Sequence, residues 1–300
     1  MKILLLGKNG QVGWELRRSL APLGTVISVD RTQADMAKPE SLRALVASIS
    51  PDCIVNAAAY TAVDKAENDI ESATIINADS VKVLAEEALK INAWLIHYST
   101  DYVFDGNKKE PYIESDPVNP LSVYGQSKLQ GEQYIHYSGC KHLIFRTSWV
   151  FSAHGSNFVK SMLQLAKERE SLNIVADQFG APTSAELIAD ITSLCINQIV
   201  SKGEAFSKDK SGIYHLVSSG EATWHSFAQY IIGQALDMGE NLKTLPNAVL
   251  PISTVEYPVP ATRPKNSRLS TVKLQDTFSL HLPQWETYVD RMLNEIIIKE

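Results

Sequence analysis

A chain of 300 residues is long enough for two ordinary domains and a substantial apolar core without covalent staples. Its 44% apolar and 21% charged residues are a globular composition and exclude disorder. Acidic residues outnumber basic ones by 34 to 28, for a net charge of -6, and no basic run occurs, which excludes nucleic acid and anionic membranes as partners held by bulk charge.

In chain order, residues 3–6 form a short apolar run stopped by Gly7, the pattern of a strand buried on both faces. Residues 12–20 follow with helical spacing. Residues 25–29 are a second strand ending at Asp30, and residues 39–49 carry an apolar helical stripe. Strands are predicted at 53–55, 94–98 and 142–147, and helices at 70–91 and 121–137. This β-α alternation predicts an α/β fold with a Rossmann-type, doubly wound parallel sheet covered by helices. After about residue 150 the pattern loosens. Helices are predicted at 157–169, 184–199 and 224–236, short strands at 173–176 and 213–217, and a last helix at 285–298. Five prolines between residues 244 and 266 make that stretch extended.

Cys53, Cys140 and Cys195 are widely spaced and form no CxxC pair, so they read as reduced thiols rather than a disulfide frame or a zinc site. The run at residues 3–6 is too short for a secretion signal or a membrane span. A cytoplasmic protein is expected. His97, on a predicted buried strand, reads as a core residue rather than a metal ligand.

Gly7, Gly10 and Gly13 lie between the first strand and the first helix in a G-x-x-G-x-x-G spacing. Small residues there let the backbone turn tightly and approach a pyrophosphate, which then sits at the positive end of the helix. Together with Asp30 closing the second strand, this predicts a dinucleotide site. Asp30 suits the ribose hydroxyls of NADH, whereas Arg31 suits the 2′-phosphate of NADPH, so the residues leave the choice open. Asp35 and Met36 stand where the adenine would lie.

Tyr124-Gly125-Gln126-Ser127-Lys128 places a phenol and an ammonium four residues apart, on one helix face. An adjacent ammonium is expected to lower the phenol's pKa and fit it to protonate a carbonyl oxygen as hydride arrives. Ser99-Thr100-Asp101 follows the fourth strand, at the carboxyl edge of the sheet where ligands of such folds bind. Thr100 is therefore expected beside the substrate carbonyl and Tyr124.

These residues, together with residues 55–67, 97–104, 146–150, 177–183 and 263–269, resemble the extended short-chain dehydrogenase/reductase superfamily. Within it they resemble the dTDP-4-dehydrorhamnose reductase family, over nearly the whole chain. The resemblance implies reduction of dTDP-4-dehydro-β-L-rhamnose to dTDP-L-rhamnose by NADPH or NADH, the last step in making activated rhamnose for surface polysaccharide. It implies that residues 1–150 hold the cofactor and residues 151–300 mainly the sugar nucleotide, with some later segments returning to the first domain. Val12, Gln11, Ala59, Tyr60, Thr61 and Tyr98 join the cofactor residues above. Tyr124 is the implied proton donor, with Lys128 its partner and a ligand of the nicotinamide ribose, so that both also bind the cofactor, and Thr100 assisting. Thr100, Asp101 and Trp149 are the implied sugar contacts, and Arg263 or Arg268 would clamp the diphosphate. The resemblance also implies a homodimer with Mg2+ held through Glu15, Glu186 and Glu295.

Two other readings compete. One is another short-chain nucleotide-sugar 4-ketoreductase or epimerase; a dehydratase is disfavoured because only one acid, Asp101, stands beside the catalytic hydroxyl. The other is a non-catalytic subunit of the kind that regulates methionine adenosyltransferase. Intact Thr100, Tyr124 and Lys128 favour catalysis.

Overall fold

The computed structural model describes residues 1–297, so Ile298 of the expected last helix lies outside the described residues. The first half runs β1 (Lys2–Leu6), α1 (Gln11–Ser19), β2 (Thr25–Val29), α2 (Pro39–Ile49), β3 (Cys53–Asn56), the short helices α3 (Val63–Ala66) and α4 (Ile70–Thr74), α5 (Ser80–Lys90), β4 (Trp94–Thr100), α6 (Val123–Ser138) and β5 (Lys141–Thr147). The second half runs β6 (Val150–Phe151), α7 (Phe158–Glu168), β7 (Leu172–Val175), β8 (Phe179–Gly180), β9 (Thr183–Ser184), α8 (Ala185–Ser201), α9 (Glu204–Ser207), β10 (Gly212–His215), β11 (Ala222–Thr223), α10 (Trp224–Asp237), β12 (Val249–Ile252), α11 (Val272–Phe278) and α12 (Trp285–Ile297).

Ile3 and Leu5 point into one core, shared with Leu16 of α1 and Ile188 of α8, while Leu4 and Leu6 point into another, shared with Leu42 of α2 and Leu84 of α5. A strand with no polar face must be covered on both sides, and each such fully buried Leu or Ile contributes about 1.5–3 kcal/mol. The result is a six-stranded sheet in the order β10-β5-β4-β3-β1-β2. Every pairing in it is parallel. The chain turns back at β1, which pairs with β2 on one side and β3 on the other, and a crevice opens there at the strands' carboxyl ends.

Three smaller two-stranded sheets, β6 with β9, β7 with β12, and β8 with β11, sit beside the main one. They surround a third core built on Phe151, Phe227, Ile231 and Trp285. Pro251 is accommodated in β12 because that strand is an edge of a two-stranded sheet.

The stretch expected as one helix over residues 70–91 is interrupted: residues Ile75–Asp79 form a π-helical turn between α4 and α5. The extra residue per turn presents Asn77 inward. Its Nδ2 donates to the Tyr60 carbonyl at 3.0 Å and to Ser127 Oγ at 3.0 Å, and its Oδ1 accepts from the Tyr60 amide at 2.9 Å. Asn77 thereby clips the loop after β3 to α6. Cys53, Cys140 and Cys195 are all buried and unbridged. Among the described residues no helix is long and apolar enough to cross a membrane.

Candidate active site

The carboxyl ends of β1 to β5 open into a single cleft of about 760 Å3. Gly7, Gly10, Gln11, Val12, Asp30, Arg31, Asp35, Met36, Ala59, Thr61 and Tyr98 line it, together with Thr100, Asp101, Tyr124, Lys128 and Trp149. The elements deliver most of the expected residues because each follows a strand end or a helix start on this edge.

The glycine loop works by close approach. Gly7 has φ +83°, a left-handed conformation that glycine adopts without penalty. A Cβ on Gly13 would lie 2.0 Å from the Gly7 carbonyl oxygen, so Gly13 serves the packing of α1 on the loop and is not part of the cleft wall. Gly10 caps α1 without any side-chain hydrogen bond. A Cβ placed there would meet nothing nearer than 3.5 Å. The first amides of α1 thus face an open cradle at the positive end of a helix, which fits a pyrophosphate.

At the far end of the cleft Asp30 is already engaged. Its Oδ1 accepts from the Thr32 amide at 3.0 Å and the Thr32 hydroxyl at 2.6 Å, and its Oδ2 pairs with Lys8 Nζ at 3.1 Å. These contacts, the Thr32 hydroxyl first, hold its pKa down at about 2. Arg31 pairs with Asp35 at 3.4 Å. Lys8 was not foreseen from sequence, since its proximity to Asp30 exists only once β1 and β2 pair.

The catalytic side is built on α6. Ser122 caps that helix by accepting from the Gly125 amide at 3.2 Å, which sets Tyr124 in the first turn. A Cβ on Gly125 would lie 2.3 Å from the Tyr102 carbonyl oxygen, so glycine at this position lets the helix seat against the turn after β4. Thr100 hydrogen-bonds the Tyr124 phenol, and its hydroxyl donates to Asp101 Oδ1 at 3.0 Å. Tyr102 meets Tyr124 edge-on, with ring centroids 5.7 Å apart.

The charges here correct the expectation for the phenol. Burial, then the neighbouring Asp101, push Tyr124 up to about 12, and the Thr100 hydrogen bond only partly offsets this. The Lys128 ammonium does not lower it, because Nζ is directed elsewhere: 2.6 Å from the Tyr98 carbonyl and 3.2 Å from His97 Nε2. Burial in turn brings Lys128 down to about 8. Burial likewise raises Asp101 to about 6, and its Oδ2 is buried without a hydrogen-bond partner.

On the opposite wall Trp149 stacks on Trp224, with centroids 3.7 Å apart and planes 14° from parallel. Trp149 has φ +48°, a strained backbone for a bulky residue, and the stack holds it there. A Cβ on Gly180 would reach 2.6 Å from the Trp149 indole, so Gly180 makes room for it. Tyr102, Ser148 and Trp224 also line the cleft and were missed from sequence. Only the tertiary fold brings α10 opposite β5.

Four expected contacts lie elsewhere. Tyr60 sits beside the cleft with its hydroxyl donating to Asp69 at 3.0 Å. Arg263 is held by Asp64 at 2.7 Å and hydrogen-bonds Tyr102, so it braces the wall without lining it. Arg268 is tied to Glu221 at 2.8 Å, to Asn266 Oδ1 at 2.8 Å and to the Lys109 carbonyl. Gly13 is the fourth, for the reason given.

Glu15, Glu186 and Glu295 do converge on one small cavity. Burial and the two neighbouring glutamates raise Glu15, against the pull of Arg18. Arginines occupy the place a cation would take: Arg18 lies 3.5 Å from Glu15 and 3.8 Å from Glu186, and Arg291 lies 2.7 Å from Glu186. Among the described residues no group of three or more His, Cys, Asp or Glu side chains is arranged to hold a metal ion. The donor set as folded does not fit Mg2+.

The parallel sheet, the uncapped helix start and the tyrosine-lysine pair on one cleft define an NAD(P)-dependent oxidoreductase of the extended short-chain type. Residues 1–298 match the family described as RmlD substrate binding domain. The chain is 51% identical over 300 residues to dTDP-4-dehydrorhamnose reductase of Escherichia coli strain K12, covering 99% of this chain and 98% of that one. It is 47% identical over 297 residues to the same enzyme of Burkholderia thailandensis, covering 99% of each. Among solved structures, dTDP-4-dehydrorhamnose reductase of Bacillus anthracis in complex with NADP superposes with a TM-score of 0.86 at 34% identity, over 98% of this chain and 99% of that one. The Thermus thermophilus UDP-glucose 4-epimerase complexed with NAD shares the fold, with a TM-score of 0.78 at 17% identity over 98% of each chain. The chain belongs to the dTDP-4-dehydrorhamnose reductase family.

Proposed function

We propose that this chain reduces the 4-keto group of dTDP-4-dehydro-β-L-rhamnose, giving dTDP-L-rhamnose, with Tyr124 as proton donor. The observation that carries the assignment is the meeting of Tyr124, Thr100, Asp101 and the uncapped start of α1 in one cleft. Bound reduced nicotinamide supplies the hydride. The chain's own residues do the rest. The raised pKa keeps Tyr124 protonated throughout the neutral range, which is the form a reduction requires. Its Oη proton passes to the substrate oxygen, and the phenolate left behind is stabilised once the Thr100 hydroxyl turns its one proton from Asp101 Oδ1 to Tyr124.

In this reading the first amides of α1 hold the pyrophosphate, Asp30, paired with Lys8, faces the adenosine ribose, and Trp149 and Trp224 form an apolar platform for the sugar nucleotide. Residues 1–150 mainly hold the cofactor and residues 151–300 the sugar. A Lys8–Asp30 pair offers both a carboxylate for ribose hydroxyls and a cation for a 2′-phosphate, which supports use of NADH and NADPH alike. A homodimer in the cytoplasm completes the proposal, and light scattering on the purified chain tests the first of these. The direct test of function is NADPH oxidation on adding the keto sugar nucleotide, with the C4 configuration of the product read by NMR. The rhamno product is expected; no oxidation, or the other C4 epimer, overturns the assignment.

A further inference from the structure

Behind the cleft, three buried side chains stand in a row: Asn56 on β3, His97 on β4 and Lys128 on α6 are 1%, 0% and 2% exposed. Asn56 Nδ2 lies 3.2 Å from His97 Nδ1, and His97 Nε2 lies 3.2 Å from Lys128 Nζ. The Asn56 amide cannot turn over freely, because its Oδ1 accepts from the Ala58 backbone N–H at 3.1 Å, and a backbone N–H is always a donor. So Nδ2–H is directed at His97 Nδ1, which must accept. A neutral imidazole with Nδ1 accepting carries its proton on Nε2. That N–H then faces Lys128 Nζ. An ammonium has no lone pair to receive it, whereas a neutral amine does, while still donating to the Tyr98 carbonyl at 2.6 Å.

We propose that Asn56 and His97 form a buried tautomer lock that disfavours the ammonium form of Lys128, making His97 a positioning residue that sets the pH at which the cleft gains a positive charge beside Tyr124.

The surroundings agree. Burial and the Lys128 charge hold His97 well below its ordinary range, so it stays neutral. The charged groups near Lys128 are few. Glu132, one turn along α6, favours the ammonium, but its carboxylate is taken by Arg146 of β5 in a two-pronged pair at 2.9 and 2.6 Å. Asp101 on the turn after β4 acts on Tyr124, and Asn77 from the π-helical turn is neutral. No other group on these elements supplies His97 with an acceptor for an Nδ1 proton. The inference rests on the placement of Lys128 in the active cleft proposed above, but its first test, on the wild-type chain, reads the imidazole and not turnover.

The experiment is a long-range 15N–1H correlation spectrum of the full chain labelled with 15N-histidine at pH 9, with the His97 signals assigned by their loss in His97→Gln or, should that variant be insoluble, His97→Asn. The expected result is a protonated Nε2 and a bare Nδ1. A protonated Nδ1 overturns the proposal. Asn56→Asp offers Nδ1 an acceptor and is expected to flip the tautomer and raise the pH limb of kcat/KM that reports Lys128 by one unit or more. A limb that rises while the tautomer stays put assigns the change to the new carboxylate alone and overturns the lock. Loss of turnover in Tyr124→Phe bears on the proposed reaction and leaves the wild-type spectrum unaffected, so the two readings fail separately.

Discussion

The two walls of the cleft are built differently. The wall proposed for the cofactor is made of residues at the ends of parallel strands or up to three positions past them: Gly7 after β1, Asp30 after β2, Ala57 to Ala59 after β3 and Thr100 at the end of β4. The main sheet fixes these positions, and it is buried on both faces. The wall proposed for the substrate is made of Trp149 and Trp224, the first a residue with positive φ and the second the start of α10. Two-stranded sheets and aromatic stacking hold that wall, with Gly180 kept bare beneath it. One wall is positioned by backbone pairing and the other by side-chain packing, so they should respond differently to substitution.

The largest effect is expected on the backbone-set wall. Thr100→Val removes the hydroxyl that links the phenol to Asp101 and that must turn its proton to the phenolate during reduction, and should lower kcat by roughly 100-fold, with the sugar nucleotide KM little changed. A drop confined to KM would place Thr100 in binding alone. Gly180→Ala tests the packed wall. The added methyl must displace the Trp149 indole, and overpacking of this kind should raise KM for the sugar nucleotide about tenfold while cofactor affinity holds. Equal losses in both affinities would show the walls to be one unit.

The next effect joins the walls. Asp101, raised to about 6 by burial, is an acid whose charged form is lost as pH falls through that value. If the carboxylate accepts a sugar hydroxyl, KM should rise about tenfold between pH 7 and pH 5, and Asp101→Asn should flatten the profile. A wild-type KM independent of pH would separate Asp101 from the sugar. The smallest effect is at the far end of the cofactor wall. Asp30→Ala leaves Lys8 held only by Gln33 Oε1 at 2.9 Å and should shift preference toward NADPH by about fivefold, a modest change because the pair is only half-buried and screened. An unchanged NADPH-to-NADH ratio would mean that neither residue touches the ribose end.

The same contrast explains what was legible in the sequence. Residues 3–6, 25–29 and 94–98 advertise buried parallel strands, and in such a sheet the ligand edge follows from strand direction, so Gly7, Asp30 and Thr100 could be placed without coordinates. Tyr124 and Lys128 were legible as one helix face, but their charges were not. The phenol's burial and Asp101's proximity outweigh the ammonium, whose nitrogen turns toward Tyr98 and His97. Asn77 was hidden because no periodicity announces a π-helical turn. Trp224 was hidden because it is 75 positions from the tryptophan it stacks on. Arg263 and Arg268 were misplaced because a guanidinium goes to whichever carboxylate the fold brings nearest, here Asp64 and Glu221.

The central claim is that a half-buried, protonated phenol delivers the second hydrogen to the ketone. Tyr124→Phe measures it most directly, in a single-turnover assay with NADPH and the keto sugar nucleotide. A fall in the reduction rate of about 100- to 10,000-fold is expected, with the dissociation constant for NADPH within about twofold of wild type. Reduction at the wild-type rate would contradict the account.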